Sequence, residues 1–217
     1  QENPLYYGIY VGTPDGGFFE IVNLESSPRA RTALQAQPRD RWVTIRIEQA
    51  AENRFRRYRY LDSELKTLRE RREPTDYDVV RRQWYADAVA SDTLQRSKPY
   101  RFAQLGALGQ TFSRRISDTD AVVAIDITLE SMSRFLGALN IGESSQVLLY
   151  DKSGEIIASS KQGPGERNVA DPELVAMALD STRQEQLIEV DTSGAPYYAF
   201  SAAMNNGDTN GLYVGIL

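Results

Sequence analysis

The sequence predicts an α+β protein of two domains, each an antiparallel sheet with helices to one side. Three observations predict it. A strand–turn–strand unit near the start recurs about 140 residues later. The charge changes between the halves: residues 1–117 hold 20 Lys+Arg and 15 Asp+Glu, and residues 118–217 hold 5 and 15. Successive strands are mostly joined by short polar turns, which fits antiparallel pairing. The expected domains are 1–138 and 139–217, with the boundary in or just after a helix at 129–139.

Residues 6–11 are rich in β-formers, "GTPDGG" is turn chemistry, and 18–22 returns as a strand. "WVTIRIE" puts Val43, Ile45 and Ile47 on one face and Thr44, Arg46 and Glu48 on the other. "AENR" turns the chain, and "FRRYRYL" sets Tyr58 and Tyr60 opposite Arg57 and Arg59. This is a hairpin with one wet face, its arginines read as solvated. Residues 63–72 are highly charged and expected to be helical, capped by Ser63 and stopped by Pro74. Residues 78–91 form a second expected helix, regular from about Gln83. "SKPYRFAQLGALG" is a loop. "QTFSRRI" and "AVVAIDIT" are strands joined by "SDTD". Leu129, Met132, Phe135, Leu136 and Leu139 then stand at helical spacing.

The second half opens on strand 146–150, the turn "DKSG" and strand 155–158, which echo the start of the chain. A helix over 168–180 follows, with Asn168 or Asp171 as cap and Pro172 in its first turn. Strands are expected at 186–190, 197–204 and 212–217, the last two joined by "NNGDTNG".

Composition excludes several functions. There is no Cys, hence no disulfide, thiol nucleophile or cysteine metal site. There is no His, which removes serine–histidine triads and most zinc sites. The net charge of −5 speaks against nucleic acid as a partner. No phosphate loop, dinucleotide fingerprint or metalloprotease signature is present, "GPGE" at 163–166 has no phosphate-binding context, and no cofactor is expected. Asp118 and Asp120 are explained by an Asp-rich hairpin turn, so no metal is expected. A hydrolase working through carboxylates needs two acids in one cleft, and only Asp126 reads as buried; no enzymatic activity is expected. No apolar run reaches the ~18–20 residues of a bilayer span. The sequence starts at Gln1 and stops in the apolar "GLYVGIL", so a piece of a longer protein is expected.

Two places could carry chemistry. In "AVVAIDIT", alternation puts Asp126 on a face with Val122, Ala124 and Thr128. A carboxylate there is either a structural acceptor or a group facing a ligand, since burial without a partner is costly. In "RRQWY", Arg82 and Tyr85 are i,i+3 neighbours on an ideal helix, and Trp84 points away from Arg82. Arg82 and Trp84 converge only if the helix begins between them. The alternatives are an exposed Arg beside a core Trp, or a clamp whose planar fork suits a carboxylate.

The running order "YVGTPDGGF", "D…RRQWY", "KPY", "VVAIDITLESMSRFL", "VLLYDKSGEIIAS" resembles double Cache sensor domains over nearly the whole chain. These are extracytoplasmic parts of bacterial membrane receptors, built of two PAS-like sheets. "YRFAQLGALGQTFSRRI" looks most like sensors attached to class III nucleotide cyclases. The resemblance implies a membrane-anchored parent, a periplasmic or extracellular location, a small-molecule ligand in the membrane-distal first domain, and admits a homodimer. In the amino-acid-binding branch, Arg and Trp of Arg-x-Trp-Tyr hold the ligand carboxylate. A later Tyr, an Asp two residues beyond it and a strand Asp hold the ammonium. Arg82, Trp84 and Tyr85 match the first group, Tyr100 the Tyr and Asp126 the strand Asp; Phe102 stands where the second Asp belongs, and Gln83 replaces a Pro. Tyr58 joins these as a candidate ligand-binding residue. With the ammonium half weakened, the expected ligand is a small carboxylate or related anion with an apolar body, in preference to a standard α-amino acid. The alternative is a structural or dimerisation ectodomain without a ligand.

Overall fold

A computed structural model describes every residue except 1–4, 51–52, 140, 143, 162–169, 171, 181–182, 184, 191–196 and 205–210; at 49–50 it describes the backbone. The chain divides into two compact units, Gln1–Ser131 and Met132–Leu217.

The first unit contains β1 (Gly8–Gly12), β2 (Phe18–Asn23), α1 (Pro28–Ala33), β3 (Trp42–Ala50), β4 (Asn53–Leu61) and β5 (Thr67–Pro74). After a 3-10 turn at Val79–Arg81 come α2 (Gln83–Val89), β6 (Gln95–Arg96), β7 (Tyr100–Arg101), β8 (Leu108–Arg115) and β9 (Val122–Thr128). Helix α3 (Leu129–Ala138) spans the division. The second unit continues with β10 (Val147–Asp151), β11 (Ile156–Ser159), α4 (Pro172–Leu179), β12 (Leu187–Val190), β13 (Tyr197–Ala203) and β14 (Leu212–Ile216).

The first sheet runs β5-β4-β3-β2-β1-β9-β8-β6, with β7 also on β8, and the second runs β11-β10-β14-β13-β12. In both, the opening hairpin lies beside the unit's last strand: β2-β1-β9-β8 and β11-β10-β14-β13 have the same layout. Strands β3 to β5 extend the first sheet from its β2 edge. Pairing is antiparallel throughout the first sheet's central strands.

Register decides what shares a face. One row across six strands reads Tyr58, Ile45, Glu20, Tyr10, Ala124, Ser113. The next reads Tyr60, Val43, Val22, Gly8, Asp126, Thr111. This face forms the core of the first unit, with Val22, Val43, Ile45 and Tyr60 fully buried. Each such aliphatic side chain contributes about 1.5–3 kcal/mol by leaving water. The Tyr60 hydroxyl donates to the Leu34 carbonyl just after α1 (2.7 Å), which ties that helix down. Helix α1 was not foreseen; Ser27 caps it by accepting from Ala30 N.

The helix expected over 63–72 is a strand, β5. The turn before it is built by Asp62, whose carboxylate accepts from the backbone N–H of Glu64 and Lys66, so Ser63 is no cap. The charges of β5 fit a partner strand rather than helical i,i+4 pairs. Arg69 and Arg71 lie over the rings of Tyr60 and Tyr58 at 3.3 and 3.9 Å. On the other face Arg57 and Arg59 of β4 meet Glu70. Within the expected loop 97–109, residues Tyr100–Arg101 pair with β8. Helix α2 begins at Gln83, where it was expected to become regular. The expected caps Asn168 and Asp171, the loop 163–166 and turn residues 51–52 and 205–210 lie outside the described residues.

Candidate functional site

A cavity of about 320 Å³ opens over the inner face of the first sheet. Its floor is β1, β2, β9 and β4, through Tyr10, Glu20, Asp126 and Arg56. Its other walls are Arg82 and Trp84, with Tyr77 before them, and the segment that holds Tyr100, Phe102 and Gln104.

Arg82 has extended backbone (φ −80, ψ 137) immediately before α2, and Trp84 sits in the first turn. This break lets both side chains reach one cavity. The guanidinium of Arg82 is 5.3 Å from the Tyr77 ring centre, and among the described residues no hydrogen bond or ion pair occupies it. Trp84 is buried and meets Tyr10 edge-on at 4.8 Å. An unpaired, exposed guanidinium at the rim of an aromatic-walled cavity suits a ligand carboxylate.

Asp126 is buried and accepts from the Tyr10 hydroxyl (2.7 Å) and the Thr111 hydroxyl (2.5 Å). The Tyr100 hydroxyl is 2.7 Å from the same Thr111 oxygen. Burial pushes the Asp126 carboxyl up to about 6, while these hydrogen bonds and the Arg82 charge pull the other way. Phe102 is buried between Tyr100 (edge-on, 5.1 Å) and Tyr7 (stacked, 6.1 Å), an apolar wall as its type implies.

Arg82, Trp84, Tyr100, Phe102 and Asp126 thus come together. Two expected residues do not. Tyr85 points to the far side of α2, where its hydroxyl donates to the Asp120 carbonyl (2.6 Å); adjacent helical residues diverge by about 100°. Tyr58 lies on the correct face of β4 but outside the cavity lining, and its hydroxyl donates to Glu73 (2.6 Å).

The sequence reading missed Glu20, Arg56, Tyr77, Tyr7 and Tyr10, which all line the cavity. Glu20 corrects the statement that only Asp126 is a buried acid. It is 7 % exposed, and burial, with the Asp126 charge second, raises its carboxyl to about 8. The signal was available: in "FFEIVN", Phe18, Glu20 and Val22 share a face, as Asp126 does with its neighbours. Arg56, read as solvated, alternates onto the Tyr58 face; its guanidinium lies 5.4 Å from the Tyr77 ring and 4.0 Å from Glu73.

No family model matches the chain. It is 31% identical over 162 residues to Adenylate cyclase 1 of Rhizobium meliloti (strain 1021), covering 73% of this chain and 24% of that protein. It is 27% identical over 93 residues to the methyl-accepting chemotaxis protein McpA of Bacillus subtilis (strain 168), covering 42% of this chain and 14% of that protein. The chain therefore spans a quarter or less of the length of these relatives. Among solved structures it is similar to the ligand-binding domain of the Pseudomonas aeruginosa PAO1 amino acid chemoreceptor PctC in complex with GABA, with a TM-score of 0.50 and 17% identity over 97% of this chain and 73% of that one. It is also similar to the ligand-binding domain of the Pseudomonas fluorescens chemoreceptor CtaA in complex with L-serine, with a TM-score of 0.50 and 15% identity over 97% of this chain and 71% of that one. The chain has the two-sheet α+β fold of chemoreceptor ligand-binding domains, the Cache-type sensor fold. No described helix is long and apolar enough to cross a membrane.

Proposed function

We propose that this chain is the extracytoplasmic ligand-sensing domain of a bacterial transmembrane signalling receptor, and that its first unit, the membrane-distal one, binds a small carboxylate. Its role is recognition, and no catalytic step is assigned to it. The observation that carries this reading is Arg82: an unpaired guanidinium held by extended backbone at the edge of a cavity walled by Trp84, Tyr77 and Tyr100. Helix α2 has seven residues, so its end adds little field and the arginine fork does the recognising. Fold likeness to chemoreceptor ligand-binding domains supports a sensor. The likeness to Adenylate cyclase 1 covers more of the chain than that to McpA, which supports a nucleotide cyclase as the output of the parent protein.

The test is a thermal-shift screen of the 217-residue chain against organic and amino acids, followed by calorimetry on the wild type and Arg82→Ala. A charge-assisted hydrogen bond contributes about 1.5–3 kcal/mol, so losing the fork should weaken binding by ten-fold to more than a hundred-fold. Unchanged affinity in Arg82→Ala would remove the carboxylate from this place. A chain that no small molecule stabilises would favour a structural ectodomain.

A further inference from the structure

Strand β5 closes one side of the first sheet, and among the described residues no strand pairs with its outer edge. Its backbone shows which groups that edge offers. At one end of the β4–β5 ladder Thr75 N donates to the Arg54 carbonyl (3.0 Å), and at the other Asp62 N donates to the Lys66 carbonyl (3.1 Å). Bonded positions alternate along an antiparallel pair, so between these ends β4 bonds to β5 through Arg56, Tyr58 and Tyr60. Their partners are Glu73, Arg71 and Arg69. The N–H and C=O groups of Glu70 and Arg72 therefore point the other way, off the sheet. An edge of this kind is a template for another strand, and charge usually guards it. Here the order of the charges, Arg69-Glu70-Arg71-Arg72-Glu73, is complementary to itself when read antiparallel.

We propose that β5 is a docking edge for a second copy of this chain, which adds its own β5 antiparallel in the register centred on Arg71. Two copies can bond through their outward groups only where an outward residue faces an outward residue. Centred on Arg71, Glu70 faces the partner's Arg72 and Arg72 faces the partner's Glu70. Each of these two pairs exchanges both backbone hydrogen bonds and joins opposite charges. Arg69 then faces the partner's Glu73. The neighbouring bonded registers are centred on Glu70 or on Arg72, and each sets a charge against its own copy, which is unfavourable. Charge and backbone thus agree on one register. Its one like pair is Arg71 against the partner's Arg71. That cost is reduced because Arg71 already donates to Glu73 (2.5 Å) and lies over the Tyr58 ring at 3.9 Å. The interface is independent of what the cavity binds. It is small, so the association is of the weak, transient class.

The experiment uses the whole chain. Sedimentation velocity up to about 1 mM chain should show a monomer–dimer equilibrium. Arg72→Pro removes one outward N–H from each copy and leaves the bonds to β4 in place, since proline is tolerated where an edge N–H faces solvent. It should weaken the dimer at least about ten-fold while the melting curve stays cooperative. The register is read by a single cysteine, which is clean because the chain has none. At the non-bonded central pair the two Cα atoms come about 4.5 Å apart, within reach of a disulfide. Arg71→Cys, oxidised with copper–phenanthroline, should therefore give covalent dimer at least about ten times faster than Ser63→Cys, which lies in the turn before β5 and has no counterpart across this edge. A chain that stays monomeric throughout, an association untouched by Arg72→Pro, or crosslinking of Arg71→Cys no faster than of Ser63→Cys would each overturn the proposal.

Discussion

Over Gly8 of β1 in the first unit lies the Glu20 carboxyl; over Gly215 of β14 in the second lies the Leu174 side chain of α4, whose Cδ2 would collide with an added Cβ. Both glycines sit on central strands of sheets with the same internal order. The buried tyrosines of the first strands differ in the same sense. Tyr150 of β10 gives its hydroxyl to the Leu174 carbonyl (3.2 Å) and lies 2.8 Å from Ser201 Oγ, an uncharged network. Tyr10 of β1 gives its hydroxyl to a carboxylate. One sheet is closed by an apolar helix face, with Leu174 and Met177 buried. The other keeps acids and hydroxyls around a hollow. A single strand order thus carries close packing in one unit and a polar hollow in the other, according to what stands over a central glycine.

The largest expected effect breaks this comparison from the packed side. Gly215→Ala drives a methyl into Leu174 and the Tyr150 ring, and overpacking of this kind costs about 1–3 kcal/mol. Gly8→Ala should cost less, because a mobile carboxyl can move aside. Chemical denaturation of both variants checks the difference, and equal losses would show that the first unit is packed as tightly as the second.

A smaller effect sharpens the contrast through pH. Glu20 is raised from an ordinary 4.5 to about 8, so the unfolded chain gives up that proton first. The stability held by the neutral acid is full below about pH 4.5 and is lost as pH rises through about 8. Glu20→Gln should therefore raise the melting temperature at pH 8 by at least about 2–4 °C and change it little at pH 4.5. The smallest effect belongs to the wet face. Arg57 bridges Glu70 (2.7 Å) and Glu48 (3.1 Å) in a partly exposed network. Arg57→Ala should leave the melting temperature unresolved from wild type in high salt, where such pairs are screened.

Glu20 and Asp126 show how the site was only half legible. The same alternation placed both on a buried face, but Asp126 stood in a wholly apolar strand and drew notice, whereas Glu20 sat between exposed Phe19 and Ile21 in a less tidy one. Arg82 and Trp84 were readable because a helix start between them is the one local geometry that joins them. Tyr58 and Tyr85 were matched by strand face and by motif order, and neither criterion says how far a side chain is from a cavity.

By itself the sequence determined the strands with clean two-residue alternation, the start of α2 and the repeated hairpin, because these depend on neighbours within a few residues. It also determined the absence of cysteine and histidine chemistry. Tertiary structure decided the rest. The segment 67–74 became a strand because its arginines stack on Tyr58 and Tyr60 of β4, contacts no local propensity can express. Glu20, Tyr7 and Asp126 became one cluster because register sets β2, β1 and β9 side by side and Gly8 leaves the space between them. Their acidities are weakened by burial, and that of Glu20 also by the Asp126 charge, conditions that exist only once strands from residues 8 to 128 lie in one sheet.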